Sequence, residues 1–153
     1  AEALLLVRGI PPEHAAARLT AVRSGALRIP AVNGKSATIG VCWGGARSFA
    51  YAAAQPALDA AVVYYGTSPE SPALATIRAP VLGLYGGDDA RVDATVPPAE
   101  AEMKKLGKSF EAHTYDGAGH GFLRQLGERN GANLEAARQA WPRTVAFLTE
   151  RLK

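Results

Sequence analysis

Four short apolar stretches, set between helix-like segments, constrain this chain more than any other feature. Ser36–Val41 (SATIGV) is short and rich in β-branched residues. Leu58–Tyr65 (LDAAVVYY) and Pro80–Tyr85 (PVLGLY) are almost continuously apolar, as strands covered on both faces are. Ser109–Tyr115 (SFEAHTY) alternates, as a strand with one wetter face does. Among the helical patterns, Gly45–Ala54 is rich in small residues and joins the first strand to the second. Pro98–Leu106 carries Ala99, Met103 and Leu106 on one face, and Gly107 can terminate it. Upstream, Pro11-Pro12-Glu13 suits a first helical turn; Ala15, Leu19, Val22 and Ala26 then recur at helical spacing, with Gly25 near the end. At the far end Leu134, Ala137, Trp141, Val145, Leu148 and Leu152 predict a continuous apolar stripe, with Asn133 as N-cap. Pro142 should kink or split that helix. The order is a helix followed by β-α-β-α-β-α-β-α, the third crossover segment being short and weak. Such alternation predicts an α/β fold: a parallel sheet with flanking helices and right-handed crossovers. The strands should lie in chain order, with SATIGV at one edge.

Size and charge narrow the function classes. With 153 residues, the chain is expected to form one domain over residues 1–153. Hydrophobic residues make up 48% and charged residues 20%, a globular balance. The net charge of +3 is scattered, and Lys104-Lys105 is the only adjacent basic pair, too little for a nucleic-acid stripe. No apolar run approaches a membrane span, the longest near the start being Ala3–Val7. No basic segment leads into a long apolar core, so no signal peptide is read. The chain starts at Ala1 without Met, which leaves a removed upstream segment open, and the expectation of a cytoplasmic location does not rest on these residues. The single cysteine cannot form an internal disulfide, and three dispersed histidines lack metal-ligand spacing, so no metal is expected. No G-x-G-x-x-G opens a helix, and Gly34-Lys35-Ser36 precedes a strand rather than a helix. No cofactor is therefore expected.

In parallel sheets chemistry gathers beyond the carboxyl ends of the strands. Three motifs fall there. Gly40-Val41-Cys42-Trp43-Gly44-Gly45 follows the SATIGV strand and opens a helix. This is the strand–turn–helix setting of a nucleophile elbow, with cysteine in place of serine. The residues two before and two after the nucleophile should be small so that strand and helix can approach. A helix N-terminus also favours an anion such as a thiolate. Alone, the stretch favours the elbow over a buried structural cysteine beside two glycines. Gly86-Gly87-Asp88-Asp89-Ala90-Arg91-Val92 follows PVLGLY and offers an acid that can orient a histidine, or an ordinary Asp-rich turn. Asp116-Gly117-Ala118-Gly119-His120-Gly121-Phe122 follows SFEAHTY, and its glycines let a histidine reach across the sheet. The combination decides. Nucleophile, acid and histidine each follow a different strand, in the chain order that α/β-hydrolases use.

With these residues in hand, the sequence resembles the dienelactone hydrolase family, the cysteine-nucleophile branch of the α/β-hydrolases. The G-x-C-x-G-G elbow at Gly40–Gly45, Gly-Gly-x-Asp-x-x-Val at Gly86–Val92 and Gly-His-Gly-Phe at Gly119–Phe122 carry the match. Asp59–Gly66 and Pro80–Gly86 add to it, and the resemblance runs from about residue 30 to 152. It implies hydrolysis of a small ester or lactone, conversion of dienelactone to maleylacetate being the family's name reaction. It also implies that Cys42 is the nucleophile, Asp89 the acid (in the Asp-x-x-Val register, in preference to Asp88) and His120 the base. The backbone N–H of Trp43 matches an oxyanion donor. Arg91 lies at the rim, either as a solvated arginine or as a contact for an anionic substrate. His113, inside a strand, and His14, on the first helix, are expected to be structural.

A complete fold of this family has an eight-stranded sheet, and the chain supplies what resemble its last four strands. The chain is expected to be the C-terminal part of a longer protein, or to receive the missing half otherwise. That half would carry the second oxyanion donor and the acidic residue facing the resting thiol. An open SATIGV edge is apolar and prone to pair with another chain. The rival expectation is a non-catalytic hydrolase-fold fragment acting as an interaction or assembly module.

Overall fold

The structure is a computed structural model that describes residues 6–7 and 9–153; most of the Ala3–Val7 run lies outside them. Four strands pair in parallel in the order β1 (Ala37–Val41), β2 (Ala60–Tyr64), β3 (Val81–Gly86) and β4 (Phe110–Tyr115). Ile39 lies opposite Val62, Val62 opposite Leu82, and Leu82 opposite Glu111. The fold and the strand order are as the alternating pattern predicts.

Every residue of β2 and β3 is buried, because helices cover both faces. Side-chain alternation splits the core into two layers. Ala61, Val63, Val81 and Tyr85 face Phe49 and Tyr51 of α2 (Trp43–Ala54) and Met103 of α5 (Val96–Lys105). Ala60, Val62, Tyr64, Leu82 and Leu84 face Phe122 and the residues Ala136, Ala140 and Phe147 of α6 (Ala132–Arg151). The structure also describes the helices α1 (Pro12–Ala26), the four-residue α3 (Ser71–Leu74) and α4 (Ala90–Asp93). The crossover expected to be short and weak, the third, in fact carries α4 and the ten-residue α5, and the weak one is the second, which holds only α3. Gly107 (φ +65°) closes α5 as predicted, the N–H of Lys108 donating to the Met103 carbonyl at 2.8 Å. Leu106, however, lies just past that helix and is 37% exposed.

The last helix departs from its sequence reading in its buried face and in its N-cap. It buries Asn133, Ala136, Ala140, Thr144 and Phe147, while Leu134, Trp141 and Val145 of the predicted stripe are exposed. The helix has two interleaved apolar rows about one residue apart, and size favoured the wrong one. Alanines let the helix sit close to the sheet, near enough for the Tyr64 hydroxyl to meet Thr144 Oγ1 at 2.6 Å. Pro142 does not split the helix, and it stands on the exposed side, where water can satisfy the carbonyl it frees. Asn133 is not the N-cap. Gly131 (φ +89°) holds that place, and Asn133 lies inside the first turn.

α1 is similarly less engaged than its spacing suggests. Ala15 is its one buried residue, and Val22 and Ala26 of the predicted face are exposed. Polar ties hold it: Arg23 donates to Ser36 Oγ and to the Ala57 carbonyl, each at 2.7 Å.

Candidate active site

Sterics build the turn after β1. Cys42 adopts φ 55°, ψ −120°, a conformation costing a residue with a side chain about 1–3 kcal/mol. It is held because Cys42 N–H donates to the Tyr64 carbonyl at 3.0 Å and the Cys42 carbonyl accepts the Ala46 N–H at 3.2 Å. A Cβ on Gly40 would stand 1.9 Å from the Gly44 carbonyl oxygen. One on Gly45 would stand 2.5 Å from the Tyr64 oxygen. Gly44, two residues after Cys42, has open space instead, so the small residue required downstream is Gly45 rather than Gly44. Gly66 completes the contact, its Cβ position being 2.2 Å from the Ala46 nitrogen. The outcome is an exposed Cys42 at the start of α2. Trp43 is the first residue of that helix, so its N–H has no acceptor within the helix.

The acid and histidine loops are joined through backbone. Gly87 N–H donates to the Tyr115 carbonyl and Asp88 N–H to the Ala118 carbonyl, each at 2.9 Å. Asp89, 8% exposed, then meets His120: Nδ1–H donates to Asp89 Oδ2 at 2.5 Å. His120 Nε2 faces Cys42 Sγ at 3.0 Å, where it can accept the thiol proton or, once protonated, donate to the thiolate. Asp88 takes a different partner, Arg129, at 2.8 Å. The structure thus brings Cys42, Asp89 and His120 together at the carboxyl end of the sheet. Arg91 is exposed on α4, and the hydrogen bonds joining these three side chains do not include it. His113 pairs with Glu111 on β4, and His14 is exposed on α1, both away from the three. Among the described residues, no group of three or more His, Cys, Asp or Glu is placed to hold a metal ion. Nor, among them, is any helix long and apolar enough to cross a membrane.

Other contributors were not singled out in the sequence. Tyr65 leaves β2 with φ 38°, and its ring meets His120 edge-on at 5.2 Å. Burial, and secondarily the nearby Cys42, push its hydroxyl up to about 12, so it stays neutral beside the sulfur. Phe122, fully buried, packs against Tyr64, Tyr65 and Tyr115 and anchors the histidine loop. The Tyr-Tyr-Gly end of the second strand was a usable signal for Tyr65 and Gly66, because a glycine closing a buried strand often marks a close backbone approach.

A parallel sheet flanked by helices, with a cysteine elbow at one strand end, defines an α/β-hydrolase fold. The dienelactone hydrolase family matches residues 7–152, and the chain belongs to that family. A candidate carboxymethylenebutenolidase of Saccharolobus solfataricus is 38% identical over 115 residues, 74% of this chain and 44% of that protein. One of Salmonella typhimurium is 33% identical over 156 aligned residues, 95% of this chain and 57% of that protein. The crystal structure of a candidate dienelactone hydrolase from Klebsiella pneumoniae superposes with a TM-score of 0.81 at 31% identity, covering 94% of this chain and 63% of that one. The chain therefore spans about half the length of the curated relatives it matches.

Proposed function

We propose that this chain carries the Cys42–His120–Asp89 triad of a hydrolase for small carboxylic esters or lactones, working through an acyl-thioester. The observation that supports it most is the unbroken run of contacts from Asp89 through His120 to an exposed cysteine sulfur at the helix start. In the first half-reaction His120 Nε2 takes the thiol proton and Cys42 Sγ bonds to the substrate carbonyl carbon. The oxygen becomes an oxyanion facing the Trp43 N–H. The carbon–oxygen ester bond then breaks, and His120 returns its proton to the leaving oxygen. Water attacks the thioester with its proton passing to His120, the carbon–sulfur bond breaks, and acid and thiol are regenerated. Asp89 keeps the imidazole in one tautomer and stabilises its charged form. A thiolate is itself a good leaving group, so esters of acidic alcohols and enol lactones fit best. Arg91 serves at the rim as a contact for an anionic substrate, and the outer edge of β1 remains a surface for pairing with a further strand.

Turnover of an activated aryl ester by the longest natural form of the chain tests the reading. Cys42→Ala should remove it by about a thousandfold or more, with the fold retained. Unchanged turnover in that variant would refute the assignment.

A further inference from the structure

His120 is carried by a loop rich in glycine, with Gly117 at φ +71° and Gly121 at φ +82°, yet its ring is held between two partners. Phe122 anchors the loop on the C-terminal side of the histidine, but the peptide before it needs its own restraint. Asn133, only 1% exposed, reaches that peptide from the first turn of α6. Its Oδ1 accepts the Gly119 N–H at 2.9 Å, and its Nδ2 donates to the Gln125 carbonyl at 2.8 Å. A single amide thus ties together the two sides of the loop that presents His120. The two bonds have opposite polarity, so only an amide in this orientation satisfies both. Arg129 reinforces the arrangement from outside, donating to Asp88 while its guanidinium lies against Gly119, whose Cβ position would be 2.9 Å from Nε.

We propose that Asn133 is a positioning residue for His120: its amide fixes the loop in the one conformation that lets the imidazole span Asp89 and Cys42. The inference rests on the triad reading given above and adds a residue to it. A loop free to move on its glycines would break the Nε2–Sγ contact first, since that contact is the exposed end of the relay.

The test compares iodoacetamide alkylation of Cys42 across about pH 6 to 9 in the unaltered chain, His120→Ala, Asn133→Leu and Asn133→Asp. Leucine is close in size and removes both bonds, whereas aspartate keeps the acceptor and loses the donor. His120→Ala and Asn133→Leu should each slow alkylation near neutral pH by about tenfold, and Asn133→Asp by less. A purely structural asparagine would lower the melting temperature and leave the alkylation profile where it was. That result, in a folded Asn133→Leu or, should leucine prevent folding, in Asn133→Asp, overturns the inference. Alkylation slowed by His120→Ala but not by either Asn133 variant overturns it while leaving the triad standing. A His120→Ala profile identical to that of the unaltered chain overturns both.

Discussion

The sheet has two unlike sides. Around the strand ends that carry Cys42, Asp89 and His120, backbone loops are joined to one another and aromatic rings close the space beneath. Along the outer side of β1, Ile39 and Val41 are 51% and 48% exposed, and Val22 of α1 is 72% exposed. An apolar groove of about 780 Å³ follows that side, lined by residues including Leu19, Val22, Val32 and Trp43. The difference shows where the site's geometry comes from. Cys42, Asp89 and His120 are placed by the carboxyl ends of β1, β3 and β4 and by the close packing of β2 against α2, while Asn133 in the first turn of α6 bonds the loop that carries His120. The outer face of β1 contributes little to it.

The largest expected effect lies on the ordered side. Gly45→Val drives a side chain into the backbone at Tyr64 and Gly66, with no flexible group to give way. Unfolding free energy should fall by about 4 kcal/mol or more, as overpacking against rigid neighbours at a strained turn predicts. Urea unfolding followed by circular dichroism measures it, and a loss below about 1 kcal/mol would show that the turn is looser than described.

A smaller effect should appear in alkali. Burial pushes the ionisation of Tyr64, Tyr65, Tyr85 and Tyr115 to higher pH, and all four belong to the buried core on the ordered side. The unfolded chain begins to lose these phenolic protons near pH 10, while the folded chain keeps them. The unfolded state then binds fewer protons, so stability falls as pH rises above about 10. For Tyr65, held up to about 12, the decline should approach about 1.4 kcal/mol per pH unit between those limits. A urea midpoint unchanged between about pH 9 and 11 would contradict this.

The smallest effect belongs to the open side. Ile39→Thr keeps the β-branched shape and should alter stability by no more than about 0.5 kcal/mol. A loss of several times that amount would mean that this face is covered in solution.

How much of this was legible in the sequence depended on whether the signal was local. Apolar runs with turn residues between them located all four strands, and glycine frames marked Cys42 and His120. Only the family resemblance, through its Asp-x-x-Val register, favoured Asp89 over Asp88, and the two take different partners. What escaped needed knowledge of the opposing surface. Leu134, Trp141 and Val145 looked like a core stripe because they are large, yet the sheet accepts the alanine row beside them. Asn133 had the chemistry of a cap, but its amide is used by a loop that precedes it in sequence. Gly44 and Gly45 are indistinguishable as letters; only the Tyr64 carbonyl tells them apart.

The central claim, that Cys42 is acylated with help from His120, is tested most directly by intact-mass spectrometry. The longest natural form of the chain is quenched in acid soon after mixing with an activated aryl ester, then digested to locate the adduct. The account predicts one added acyl group, carried on the peptide containing Cys42, lost in Cys42→Ala and formed more slowly in His120→Ala. Ester turnover with no acyl group on Cys42, or with the group on another residue, would contradict it.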